Sequence, residues 1–172
     1  MKKILSALMC FLLAGALFAQ EKYPIPSLSS DQKHGRAVGQ AWVIAAAGMN
    51  FAKTKGVSPY EYGKYLGTLF APSWGEGNDF DQFVRGSIYN YESFRHVTDP
   101  PLQVKENTDN SVTVVTSEQM WHNYFPEGNP FASYNEFLEL VKGLNESIAN
   151  HMGATVTMEN QGNQLIFTFR RK

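Results

Sequence analysis

The sequence predicts an α+β fold: three helices, then a β-hairpin, a fourth helix and a second β-hairpin, with the strands forming an antiparallel sheet. Three observations lead there. Apolar residues recur at helical spacing from about Ser30 to Phe94. The pattern switches to alternation with β-branched residues near Leu102. A Ser-x-x-Glu sequence at Ser133 then opens one more helical stretch before alternation resumes at Ala154.

The first helix runs from Asp31 to Lys55, with Ser29 or Ser30 as N-cap, Asp31 in the first turn and Gly56 just past the end. Its middle, AVGQAWVIAAAGM, is apolar nearly all round, the mark of a buried central helix, and Gly39, Ala45, Ala46 and Gly48 permit close helix contacts. A second helix opens at SPYE, where Ser58 caps, Pro59 takes the first helical position and Glu61 closes a capping box. It ends near Phe70, before Pro72, and APSWGEGN forms a loop. The third helix begins at Asn78 or Asp79 and carries an apolar stripe of Phe80, Phe83, Val84, Ile88, Tyr91 and Phe94; Asp99-Pro100-Pro101 stops it.

LQVKE and SVTVVTS then read as strands joined by a turn at NTDN. The fourth helix starts with the box Ser133 to Glu136 and aligns Phe137, Val141, Leu144, Ile148 and Met152 before Gly153. The last hairpin turns at Gln161-Gly162-Asn163 and sets Leu165, Phe167 and Phe169 on the opposite side of the pleat from Ile166, Thr168 and Arg170.

Ahead of all this, Met1-Lys2-Lys3 and the apolar run ILSALMCFLLAGALFA read as a secretory signal peptide of residues 1–19, followed by an extended lead-in, 20–29, and a single α+β domain, 30–172. The run falls short of the roughly 20 residues needed to span hydrocarbon, so no transmembrane segment is expected in the mature chain. Export to a periplasm or the exterior follows. Cys10, the one cysteine, leaves with the signal, and with it any thiol or disulfide chemistry. Loss of Lys2 and Lys3 takes the formal charge from −1 to −3, which excludes the basic field expected of a nucleic-acid binder.

The ending HMGATVTMENQGNQLIFTFRRK and the order of elements resemble the small bacterial domains related to L-2-amino-thiazoline-4-carboxylate hydrolase and to the 4-vinyl-reductase type of small-molecule-binding domain. In those, a late helix ends at a glycine and a hairpin follows with a Phe-x-Phe core pattern, here Phe167-Thr168-Phe169. The resemblance implies an α+β binding or hydrolytic domain. The cysteines often present in those families are absent here, so their metal or thiol chemistry does not carry over.

The densest candidate site is MWHNYFPEGNPF, residues 120–131, which sets the rings of Trp121, Tyr124, Phe125 and Phe131 and the imidazole of His122 in a Pro- and Gly-containing connection. Two readings apply. The rings wall a pocket in which His122 and the Tyr124 hydroxyl supply direction, or they tuck under the sheet to finish the core, as large aromatics usually do in small domains. Tyr91 and Arg95 on the third helix belong to the same candidate ligand site, with His96 beside them. Arg95 also suits the helix C-terminus, and Arg85 lies about 15 Å away along the helix, too far to share one small anion.

Glu76, Asn78, Asp79 and Asp81 form an oxygen-rich run without the spacing of a calcium loop. His34, His96, His122 and His151 lack zinc spacing. Gly86-Ser87 lies within a helical pattern rather than in a nucleophile elbow, and the sequon at Asn145 also falls in a helix. No catalytic residue, metal or cofactor is assigned. The expected function is binding of a small apolar or aromatic ligand by an exported domain. The alternatives are a hydrolase using His122 or His96 with Asp99 or Glu118 as orienter, and a cell-envelope protein-interaction module.

Overall fold

The computed structural model describes residues 26–107 and 110–172, so the expected signal peptide and most of the lead-in lie outside the described residues. The chain divides into two compact units after Lys33. Of the first, the described part is a stretch without regular structure, 26–29, and the opening turn of helix α1, Ser30–Lys53. That turn is capped reciprocally: the Ser29 hydroxyl accepts the Gln32 amide, and Gln32 Oε1 accepts the Ser29 amide. Every later element belongs to the second unit, His34–Lys172.

Helix α2, Pro59–Phe70, starts under a complete capping box from Ser58 and Glu61, and a single 3₁₀ turn, Ala71–Trp74, follows it. Helix α3, Phe80–Phe94, is capped by Asp79, whose carboxylate accepts the Gln82 amide at 2.8 Å. This accounts for part of the acidic run as helix initiation. Strands β1, Gln103–Glu106, and β2, Ser111–Ser117, form the first hairpin. Its predicted turn falls partly on 108 and 109, outside the described residues; beside them, the Asn107 amide donates to Ser111 O at 2.8 Å. A short helix α4, Glu118–His122, precedes helix α5, Tyr134–His151, which opens on the Ser133 and Glu136 box. Gly153, at φ 67°, ends it in the left-handed conformation that closes helices. Strands β3, Ala154–Gln161, and β4, Gln164–Arg171, complete the chain. Between them only the first turn residue, Gly162 at φ 66°, has positive φ, the pattern of a type II′ turn.

The class is α+β with a four-stranded antiparallel sheet, ordered β1-β2-β4-β3. The predicted order of elements was incomplete, because α4 intervenes where a loop was expected. Five residues are too few to show a helical period. The turn is held instead by burial of Met120 and Trp121 and by the indole N–H of Trp121, which donates to Thr116 Oγ1 at 2.8 Å.

Register explains which face of the sheet the helices cover. Val112, Phe169 and Val156 pair across β2, β4 and β3, as do Val114, Phe167 and Met158, and Thr116 faces Leu165. These residues project to one side, where Val114, Leu165, Phe167 and Phe169 are fully buried. The other side carries the row Thr113, Thr168 and Thr157. Strand β1 is an exposed edge.

Two helix contacts shape what lies above the sheet. Helices α2 and α5 meet backbone to backbone: a Cβ on Gly63 would lie 2.1 Å from Leu140 O, and one on Gly143 would lie 2.1 Å from Tyr60 O. By contrast, α1 is not the buried central helix its composition predicted. It buries Ala46 and Met49 but leaves Ile44 73% and Phe51 66% exposed. Half of its apolar residues are alanines, too small to fill the space beneath, so it rests on longer side chains. Trp42 wedges between Phe94 and Phe137 at 5.3 and 4.9 Å, Gly48 lies over the Tyr62 hydroxyl, and Lys53 pairs with Glu136.

That last pair makes a testable point. The Lys53 ammonium, then the Ser133 amide and hydroxyl, hold the Glu136 carboxyl below its ordinary range. Its folded pKa is thus depressed, so its stabilisation is complete above the unfolded value and is lost as pH falls through the folded one. The pair is about a third exposed, so Lys53→Met is expected to cost under about 1 kcal/mol at neutral pH and to flatten this part of the acid limb. Urea midpoints measured across the acid range check it, and an unchanged slope would show that the pair is not formed.

Candidate functional site

A cavity of about 770 Å³ lies beneath α1, within the range typical of small-molecule sites. Helix α1 lines it with Ala37, Val38, Ala41, Trp42 and Ala45. Tyr62 and Leu66 come from α2, Trp74 from the 3₁₀ turn, and Leu140, Leu144 and Ile148 from α5. Phe94 and Trp121 add further rings, and the exposed Ile44 and Phe70 stand at its rim. Trp74 reaches this wall because α3 has no side chain at Gly86, where a Cβ would lie 2.6 Å from the indole. All three tryptophans of the chain therefore line one space.

Three of its polar residues sit on α3. Ser87, Asn90 and Tyr91 occupy positions i, i+3 and i+4 of α3 and so share a face. Across from them, Asn145 Oδ1 accepts the Tyr91 hydroxyl at 3.0 Å, and Asn145 Nδ2 donates to Val141 O at 2.8 Å. Burial pushes the Tyr91 phenol far above its ordinary pKa, so it stays a neutral donor. Ser87 is 1% exposed, and its hydroxyl has no hydrogen-bond partner among the described residues. No Lys, Arg, His, Asp or Glu is among the described residues of the lining.

The six residues singled out from the sequence separate cleanly. Tyr91 and Trp121 line the cavity. Phe125 is buried beside it, stacked on Phe137 at 4.1 Å, and Tyr124 packs against His96 with its hydroxyl donating to Phe94 O at 2.8 Å. His122 stacks on Tyr134 at 3.7 Å and stands 3.9 Å from Glu118 Oε1. Arg95 is occupied by Glu92, at 2.6 Å from Oε1, and by the carbonyls of His96 and Asp99. None of these last four lines the cavity.

Of the pairings named for a histidine-dependent hydrolase, that of His122 with Glu118 is long, at 3.9 Å. Asp99 accepts the backbone amide of His96, not its ring, and Glu118 accepts from Asn160 at 2.5 Å. Among the described residues no three His, Cys, Asp or Glu side chains gather as a metal site, and no helix is long and apolar enough to cross a membrane.

Among the cavity residues not singled out as a ligand site from the sequence are Trp42, Trp74, Ser87 and Asn145. Two carried a usable signal: Ser87 and Asn145 each interrupt the apolar stripe of a buried helix, which is where a polar residue needs a reason. No family model matches the chain and no curated protein matches its sequence.

Proposed function

We propose that this protein binds a small apolar molecule in the cavity beneath α1, as an exported binding domain rather than a hydrolase. The observation that carries this is the lining: three tryptophans and a set of aliphatic side chains around about 770 Å³, with few polar groups and no charged one among the described residues. Apolar walls with a few directional groups are what a small-molecule site requires. The histidines that a hydrolytic reading would recruit, His96 and His122, are engaged with Tyr124 and Tyr134 outside that lining. The charged start and apolar run of the N-terminal residues support export, so the ligand would be met outside the cytoplasm.

Phenylnaphthylamine, a neutral apolar fluorophore, tests the reading. Excitation of the tryptophans is expected to light the bound probe by energy transfer, with saturation at one probe per chain. A linear, non-saturating rise would place the probe on the general surface and overturn the proposal.

A further inference from the structure

We infer that the outer side of the seam between α1 and α2 is a docking surface for an anionic lipid bilayer. The inference goes beyond ligand binding and does not require it, because the surface lies at and outside the rim of the cavity.

Two observations carry it. The first is an exposed apolar patch. Gly48 lies over the Tyr62 hydroxyl, which fixes where α1 crosses α2. Ile44 and Phe51 stand one turn to either side of Gly48, and Tyr65 and Leu69 stand one and two turns beyond Tyr62, so all four flank the same seam. Each is more than half exposed. Ile44 and Phe70 carry the patch on to the cavity rim. Apolar side chains scattered singly over a surface need no partner, whereas a set gathered on one face marks a contact.

The second is charge, and it selects the partner. Residues 34–60 hold Arg36, Lys53 and Lys55 and no Asp or Glu, while residues 61–172 hold eight Lys or Arg against fourteen Asp or Glu. The chain is therefore polarised, with +3 on the segment that contains α1 and −6 on the remainder, histidines being neutral. On the patch itself, Lys55 Nζ lies 5.5 Å from the centre of the exposed Phe51 ring. Of the neighbouring acids, Glu136 is paired with Lys53 and Glu61 is held in the Ser58 cap. Apolar side chains with cations at their margin are what an interfacial helix offers to acidic headgroups: the rings enter the headgroup boundary and the ammonium groups stay at the phosphates. A second copy of the chain is the poorer occupant, since a two-fold contact would set two positive segments against each other. Docked this way, the cavity mouth at Ile44 and Phe70 faces the bilayer, and an apolar molecule dissolved there reaches the chamber without crossing water.

Flotation of the processed, exported chain with vesicles tests this, using phosphatidylcholine alone and an equal mixture of phosphatidylcholine and phosphatidylglycerol. Binding is expected to be about 10-fold or more stronger to the mixed vesicles at low salt, and to weaken as salt is raised. Phe51→Ser combined with Leu69→Ser is expected to lower it by about 10-fold or more, and Lys55→Gln by about 5-fold on the mixed vesicles alone. Val104→Ser, which removes an exposed apolar side chain from edge strand β1, is the control and is expected to leave binding unchanged. All of these side chains are exposed, so the melting temperatures of the variants are expected to stay near that of wild type. No binding to either vesicle, equal binding to both, or binding unaltered in the seam variants would overturn the proposal. So would a dimer formed without vesicles and dissociated by the seam variants, which would assign the face to a second copy. Phenylnaphthylamine saturation without vesicles reads the ligand proposal separately, so either can fail while the other stands.

Discussion

Trp121→Ala is expected to lower stability by about 3–5 kcal/mol, while His122→Ala beside it costs under about 1 kcal/mol. Trp121 is 1% exposed and meets four rings, those of Tyr91, Phe94, Phe137 and Phe167, at 5.7 to 6.1 Å. Its indole N–H donates to Thr116 Oγ1, which in turn donates to Leu165 O, so removal also costs that buried hydroxyl the donor it accepts from. His122 loses one stacking contact, with Tyr134, and a long, partly exposed contact with Glu118. Urea unfolding of the two variants reads the difference directly. Equal losses would mean that the indole is not part of the core. Because Trp121 also lines the cavity, its alanine variant is expected to alter probe binding, whereas His122→Ala leaves it unchanged.

The second large effect is expected at the glycines joining α2 to α5. In Gly143→Ala the new Cβ would face Tyr60 O at 2.1 Å and Lys64 N at 2.9 Å, both backbone atoms that cannot rotate aside. Alanine gains about 1 kcal/mol of helix propensity over glycine. The helices must still move apart, and overpacking of this kind costs about 1–3 kcal/mol or more, with backbone contacts at the upper end. A net loss on the order of 2 kcal/mol is expected, visible as a melting shift on the order of 5 °C for a chain of this size. Gly39→Ala in α1 is the control. Its nearest neighbour would be Tyr124 Cδ1 at an ordinary 4.0 Å, so propensity alone acts and the melting temperature is expected to rise. A stabilised Gly143→Ala would show that the two helices do not meet as described.

The contrast between those glycines shows what the sequence could convey. Local chemistry was legible: the boxes at Ser58 and Ser133, the Asp79 cap and the alternation in β4 each depend on residues within a few positions of one another. Close approach of two helices is not local. Gly39 and Gly48 looked like contact points because they lie in an apolar helix, and Gly48 does meet Tyr62, while Gly63, between Tyr62 and Lys64, and Gly143, between Lys142 and Leu144, gave no sign of one. The candidate site divides in the same way. Aromatic density in residues 120–131 drew attention to rings that mostly complete the core, since density along the chain says nothing about which side of a ring faces a void. The cavity draws one or two residues from each of several elements, and no single stretch contains it. Its most telling members, Ser87 and Asn145, were visible only as polar interruptions in otherwise apolar stripes.

The glycine joint has a consequence for how the cavity can adapt. Helices α2 and α5 are locked by main chain against main chain, a contact with no side chains to rearrange. Helix α1 meets the rest of its unit through side chains such as Trp42 and Met49 and through the Lys53 pair, all of which can repack. The chamber is therefore a vice with one fixed jaw and one adjustable jaw. Under the proposed binding role, variation in ligand girth would be taken up on the α1 side, where the row Ala37, Ala41 and Ala45 sets the gap.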